Sequence, residues 1–162
     1  MRRALISLVL VLVLLPSSVV YAAHGQTASG TWTDTQVLYL SQTSSGSNTI
    51  IHSVVSGSIS GTFSGTFLSV GVTTVGPTGS ATYKAADYCL CTVLGHKGLI
   101  TFSEIGQVVP TTPVVGVLTS VATIVPSQTT VRGLEGQIAL TGTADATTFL
   151  TFGSYAGSVS LP

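Results

Sequence analysis

Charged residues are scarce in this sequence: five basic and five acidic side chains make up 6% of its 162 residues. Disordered chains are rich in charge and poor in apolar residues, whereas 44% of this chain is hydrophobic, so we expect it to fold. Five basic residues are too few for a surface that neutralises phosphates, and nucleic acid is therefore not an expected partner. The length is that of one domain.

The sequence also lacks the motifs of several enzyme classes. It contains neither the Gly-x-Ser-x-Gly elbow of α/β-hydrolases nor a phosphate-binding loop that ends in Gly-Lys-Ser/Thr. Only two cysteines are present, without a second Cys or His pair to complete a zinc site. We therefore predict no metal and no cofactor, and these absences favour a protein that is not an enzyme.

The N-terminal segment has the three regions of a secretory signal peptide. A pair of arginines at positions 2 and 3 precedes an apolar run over residues 4–15, and small side chains follow. The run is shorter than the roughly 20 residues that a membrane-spanning helix needs. We predict a signal peptide over residues 1–22, cleaved after Ala22 with Ala23 as the alternative. The mature chain, residues 23–162, would then be a secreted single domain without a transmembrane span.

The rest of the chain is typical of β-structure. Val, Ile, Thr, Phe and Tyr are frequent, and clusters of Gly, Pro or Ser interrupt them every ten or so residues. The interruptions are too short for crossover helices, which indicates antiparallel pairing. We predict eight strands, over residues 28–40, 48–57, 59–74, 79–94, 98–109, 114–125, 134–143 and 147–160.

Residues 59–71 show the clearest alternation of apolar and hydroxyl side chains. Phe63 and Phe67 share one face with Gly61 and Gly65, and Ser and Thr occupy the other. Glycine beside phenylalanine on a buried face indicates tight strand curvature. Eight short, curved strands predict an all-β fold with a closed antiparallel barrel, and a β-sandwich is the alternative. The scarcity of aromatic residues and of long charged loops disfavours an outer-membrane barrel.

Three stretches punctuated by glycine carry a resemblance to a known fold family. They are SGSISGT at residues 56–62, GHKGLITF at 95–102, and IVP at 124–126 followed by GLEG at 133–136. These stretches resemble an uncharacterised bacterial family with the allene-oxide-cyclase-like barrel, a fold shared with dirigent proteins. The resemblance implies an eight-stranded barrel whose lumen can hold an apolar molecule, often in a homo-oligomer. It implies no catalytic residues, and the sequence Cys-Leu-Cys at 89–91 departs from the family's pattern.

Cys89 and Cys91 are the only two cysteines, and secretion favours disulfide formation. On an extended strand, however, residues two apart share a face with Cα atoms roughly 6.6 to 7 Å apart, so a bond between them needs a bulge or turn. Our first expectation is two thiols on one strand face, and the second is a local disulfide. The remaining alternatives are an intermolecular bond or a metal site that also uses Asp87 and His96.

Three side chains are candidates for a ligand site in the lumen: His52, Tyr83 and Glu104. Glu104 shares a strand face with Ile100 and Phe102, so a carboxyl group that faces the lumen is one interpretation, and such a group could serve as a general acid. Each residue also has an alternative interpretation without a role in binding. Glu104 could face solvent at a strand end, His52 could be hydrogen-bonded inside the barrel or lie at its rim, and Tyr83 could pack in the core or at the rim.

These observations predict a secreted β-barrel that binds a small apolar ligand, or serves as an interaction module, without catalysis. One alternative is a cyclase-like isomerase that acts on an apolar substrate in the lumen through Glu104 or a tyrosine. Another is a purely structural extracellular domain with a filled lumen.

Overall fold

Eight antiparallel strands form a closed barrel in the computed structural model, which describes residues 25–162. They pair in chain order, and the last strand pairs with the first. The strands are β1 (Gln26–Ser45), β2 (Asn48–Gly61), β3 (Phe63–Val75), β4 (Ala81–Val93), β5 (His96–Pro110), β6 (Val115–Ile124), β7 (Glu135–Asp145) and β8 (Thr151–Ser160). A short 3-10 helix, Pro126–Gln128, follows β6.

The predicted all-β closed barrel is confirmed, and the β-sandwich alternative is wrong because all eight strands belong to one continuous sheet. The predicted signal peptide, with its cleavage at Ala22 or Ala23, lies outside the described residues. Within residues 25–162, no helix is both long enough and apolar enough to span a bilayer.

The turn between β2 and β3 lies later in the chain than predicted. We expected a break at residue 58, but β2 continues to Gly61 and the chain reverses at Thr62. Gly61 has a φ of +107°, a conformation that side-chain-bearing residues rarely adopt, so glycine is suited to this reversal. The predicted apolar face is therefore shared by two strands, with Ile59 on β2 and both Phe63 and Phe67 on β3.

The Phe67 ring lies close to Gly57, which supports the prediction that glycine beside phenylalanine allows the strands to curve. Gly57 on β2 lies opposite Phe67 on β3. A Cβ atom at Gly57 would lie 2.5 Å from Cζ of the Phe67 ring, which is too close for any real side chain. Glycine at this position thus leaves the space that the ring fills inside the barrel.

Aromatic packing closes one end of the barrel. Phe63 is fully buried, with its ring centroid 5.4 Å from that of Phe102 and 5.9 Å from that of Tyr155. The Tyr155 hydroxyl accepts a hydrogen bond from the Phe63 backbone N–H at 2.9 Å and donates one to the Ser60 carbonyl at 3.1 Å. The segment after β6 adds Leu134, which is also fully buried. The core is therefore concentrated at this end, which we call the closed end.

Candidate ligand site in the barrel lumen

A cavity of about 350 Å³ occupies the end of the barrel opposite the closed end. Its walls are mostly apolar, and its volume falls in the range of small-molecule sites. We call it the entrance cavity. Val37, Ile51, Val75, Ala81, Val108 and Phe149 are among its lining residues.

A second cavity, of about 110 Å³, lies deeper in the barrel, and we call it the inner cavity. Four residues line both cavities, which places them side by side: Val55, Ser69, Tyr83 and Leu118. The inner cavity has aromatic walls from Trp32, Phe67 and Phe102. It is also lined by three acidic residues, Asp34, Asp87 and Glu104.

Tyr83 and Glu104, two of the three predicted site residues, contact each other inside the lumen. The Tyr83 hydroxyl donates a hydrogen bond of 2.6 Å to Oε1 of Glu104. Their strands are neighbours in the sheet, with Ala85 opposite Glu104. Burial raises the pKa of Tyr83 above its ordinary value, and the negative charge of Glu104 raises it further, so the hydroxyl remains a donor at neutral pH.

Asp87 is the acidic residue of the lumen with an unpartnered buried oxygen atom among the described residues. Its side chain is only 9% exposed, and its Oδ1 atom has no hydrogen-bond partner within residues 25–162. Burial raises the pKa of Asp87 well above its usual range, and the nearby Glu104 raises it further, whereas a hydrogen bond from Ser69 opposes the shift. This carboxyl group therefore tends to hold its proton.

Asp34 is buried as well, but its carboxylate is satisfied. Oδ2 accepts hydrogen bonds from the Thr151 backbone N–H at 2.9 Å and from the Thr151 hydroxyl at 2.6 Å. The Thr151 hydroxyl also accepts a bond from the Trp32 indole N–H at 3.3 Å. Burial raises the pKa of Asp34 to about 6, although the bonds from Thr151 lower it, and the charge of Glu104 adds to the increase.

Basic side chains do not balance these acids in the described part of the chain. No Lys, Arg or His of residues 25–162 lines either cavity. All five such residues are exposed: His52, Lys84, His96, Lys97 and Arg132. Among these residues, no group of three Cys, His, Asp or Glu side chains is arranged to hold a metal ion. The lumen thus combines apolar walls with an excess of negative charge.

The expectation that His52 belongs to a lumen site is wrong. The alternate residues Ile51, Ser53 and Val55 face the entrance cavity, so His52 lies on the outer wall of β2. There it lines a shallow groove with Val70 and Val72, among others. The sequence was ambiguous because apolar residues occupy both faces of this strand.

Cys89 and Cys91 are both buried on the inner face of β4, and Cys89 lines the inner cavity. Their Cα atoms are 5.2 Å apart, and the structure pairs their sulfur atoms. This separation is shorter than expected for an extended strand and falls in the range found for disulfides. His96 is exposed at the β4–β5 turn and does not join the cysteines, so the metal site considered with Asp87 and His96 is not formed.

Sequence reasoning missed Asp34 and Trp32 as lumen residues, and it considered Asp87 only as a metal ligand. The alternation of inward- and outward-facing residues along a strand predicts the inward position of all three. Asp34 is two residues from Trp32 on a predicted strand, and Asp87 is two residues from Cys89. Acidic residues are rarely buried without basic partners, so the usual pattern of burial predicts that Asp34 and Asp87 face solvent.

A solved structure shares the barrel. A protein of unknown function from the DUF3224 family of Shewanella oneidensis MR-1 superposes with a TM-score of 0.59 and 14% sequence identity, over 85% of this chain and 98% of that one. At this identity the likeness concerns the fold alone. No protein-family model matches the sequence, and no match was found among curated proteins. The resemblance to the allene-oxide-cyclase-like family stays a prediction.

Proposed function

We propose that this protein is a secreted barrel that binds a small, largely apolar molecule in its lumen and does not transform it. The observation that carries the proposal is the apolar entrance cavity of about 350 Å³, adjacent to the inner cavity at the barrel's centre. Protein interiors are normally close-packed, so a purely structural barrel would be expected to fill this space with side chains. Eight-stranded barrels are wide enough to hold one small ligand.

The secreted location rests on the N-terminal segment alone, and a homo-oligomer stays a prediction. Exposed apolar side chains do lie on the outer wall, among them Leu38, Leu68, Leu90 and Ile105. Such side chains are compatible with association, but ligand binding in the lumen does not depend on it.

Binding can be tested with N-phenyl-1-naphthylamine, an uncharged probe at neutral pH that fluoresces in apolar surroundings. Two adjacent alanines of β4 supply a matched pair of variants. Ala85 lines the entrance cavity, and Ala86 lines the outer groove. We expect Ala85→Phe to weaken probe binding by about tenfold or more, because the ring would occupy part of the entrance cavity, and Ala86→Phe to leave it unchanged. Equal affinity in the two folded variants would contradict binding in the lumen.

An isomerase is the second candidate, and Asp87 and Glu104 favour it. A carboxyl group that retains its proton beside a second carboxyl group is an arrangement used in acid–base catalysis. The two functions differ in what happens to a bound molecule. A binding protein releases it unchanged, whereas an isomerase returns a product with the same mass and a different NMR spectrum.

A further inference from the structure

Asp87 lines the inner cavity, and one of its two carboxyl oxygens, Oδ1, has no hydrogen-bond partner among the described residues. About nine-tenths of its side chain is buried, and Oδ1 receives no hydrogen bond from residues 25–162. Buried polar atoms are nearly always paired, since an unpaired one costs free energy. Because Asp87 borders the inner cavity, a ligand there could supply a hydrogen-bond donor to its carboxyl group.

The acidic residues around Asp87 indicate which kind of ligand group would bind there. Asp34 from β1 and Glu104 from β5 line the same cavity, and none of the described basic residues does. Carboxylate ligands would be repelled by this arrangement, whereas a cation would be attracted and would meet acceptors. A protonated amine carries a positive charge, and its N–H groups can donate hydrogen bonds to the Asp87 carboxyl group.

The surrounding walls suit an organic cation better than a metal ion. A metal site needs several converging ligands, and no group of three is arranged in this way within residues 25–162. An ammonium group needs fewer partners, and it is also attracted to aromatic faces such as that of Trp32. The inner cavity can hold the ammonium group while the entrance cavity takes an apolar chain.

We propose that the lumen binds amphiphilic amines, with the ammonium group in the inner cavity against Asp87 and Glu104 and the apolar body in the entrance cavity. This inference rests on the proposed ligand-binding function and adds the chemical class of the ligand.

Binding of a cation would change the protonation of Asp87. Without a ligand, burial and Glu104 raise the pKa of Asp87, so the group tends to hold a proton. An ammonium group beside it favours the carboxylate, and the displaced proton passes to solvent. The other titratable groups that face this position are Asp34 of β1, Tyr83 of β4 and Glu104 of β5, while β3 contributes only the Ser69 hydroxyl.

The test is calorimetric titration of the purified protein near pH 7 with three probes that share one chain: n-octylamine, n-octanol and octanoate. We expect the amine to bind about tenfold or more tighter than the alcohol, and octanoate to bind weakest. Titrations in phosphate and in Tris, which differ in ionisation enthalpy, should show proton release with the amine and none with the alcohol.

Variants test whether the preference for the amine depends on the acidic residues of the inner cavity. Asp87→Asn and Glu104→Gln should each reduce the ratio of amine to alcohol affinity, whereas Glu135→Gln, at an exposed position on β7, should leave the ratio unchanged. Proton release in the unmodified protein provides a result even if a lumen variant does not fold. Equal binding of amine and alcohol, or tighter binding of octanoate, would overturn the amine proposal and leave the binding function intact. Failure of all three probes and of N-phenyl-1-naphthylamine would overturn the binding function itself.

Discussion

Tyr83 and Glu104 are joined by a 2.6 Å hydrogen bond inside the barrel, on neighbouring strands. The sequence marks both as candidates, but only the register of β4 and β5 places them in contact. Tyr83 lines both cavities, so this bond lies at the boundary between the apolar entrance cavity and the inner cavity with its three acidic residues.

Loss of the Tyr83 hydroxyl should destabilise the barrel. Tyr83→Phe leaves Glu104 without its donor in a half-buried position, which should lower the free energy of unfolding by about 1 to 3 kcal/mol. Tyr88→Phe is the matched control, because Tyr88 points outward from the same strand and is 39% exposed. Urea denaturation of the two variants measures the difference. A Tyr83→Phe variant as stable as Tyr88→Phe would show that the bond contributes little.

Asp34 should make the folded state less stable as the pH rises. Its pKa is raised from 3.8 to about 6, so between these values the folded state binds more protons than the unfolded state. The free energy of unfolding should therefore fall by up to about 3 kcal/mol from pH 4 to pH 7. Asp87, whose pKa is also raised, acts in the same direction.

Asp34→Asn should remove part of this pH dependence in denaturation experiments. Asp145→Asn should not, because hydrogen bonds from Thr147 lower the pKa of Asp145, which reverses the sign of its contribution. Stability that increases with pH throughout this window would contradict the burial of Asp34 as an unbalanced acid.

The pairing of Cys89 and Cys91 can be measured directly. Alkylation of the denatured protein without a reductant should add no label, and alkylation after reduction should add two. Mass spectrometry distinguishes these states. Two labels without reduction would establish free thiols, and a dimer lost on reduction would establish an intermolecular bond.

Gly153 should be intolerant of any side chain because the Thr141 carbonyl oxygen and the Trp32 ring both lie too close to it. A Cβ atom there would lie 2.5 Å from Cη2 of the Trp32 ring, which forms a wall of the inner cavity. We expect Gly153→Ala to lower the free energy of unfolding by about 1 to 3 kcal/mol. Gly76→Ala, where the nearest atom is at an ordinary 3.5 Å, is the control. Equal thermal stability of the two variants would contradict this packing.

The sequence predicted the barrel because local signals agree along most of the chain. Alternation and short breaks indicate antiparallel strands, and glycine beside phenylalanine indicates curvature. The turn at residue 58 was misplaced because Gly57 and Ser58 look like turn residues, whereas Gly57 is needed opposite Phe67 within the ladder. Local composition does not distinguish these two uses of glycine.

The grouping of acidic residues around the inner cavity was harder to predict, because it depends on closure of the sheet into a barrel. Asp34 is more than fifty positions before Asp87, and only the barrel brings β1 near β4 and β5 across the lumen. Local rules also disfavour the burial of acids without basic partners. Where a sequence breaks such a rule, a functional reason is expected, and ligand binding would supply one.

NMR spectroscopy of the methyl groups, with N-phenyl-1-naphthylamine bound, determines where in the barrel the probe binds. The ring protons of the probe should show nuclear Overhauser contacts to methyl groups of Val55, Ala81 and Val108, which line the entrance cavity. Methyl groups of Val70, Val72 and Ala86, on the outer groove of the same sheet, should show none. Contacts confined to the outer groove would contradict an account in which the lumen is the binding site.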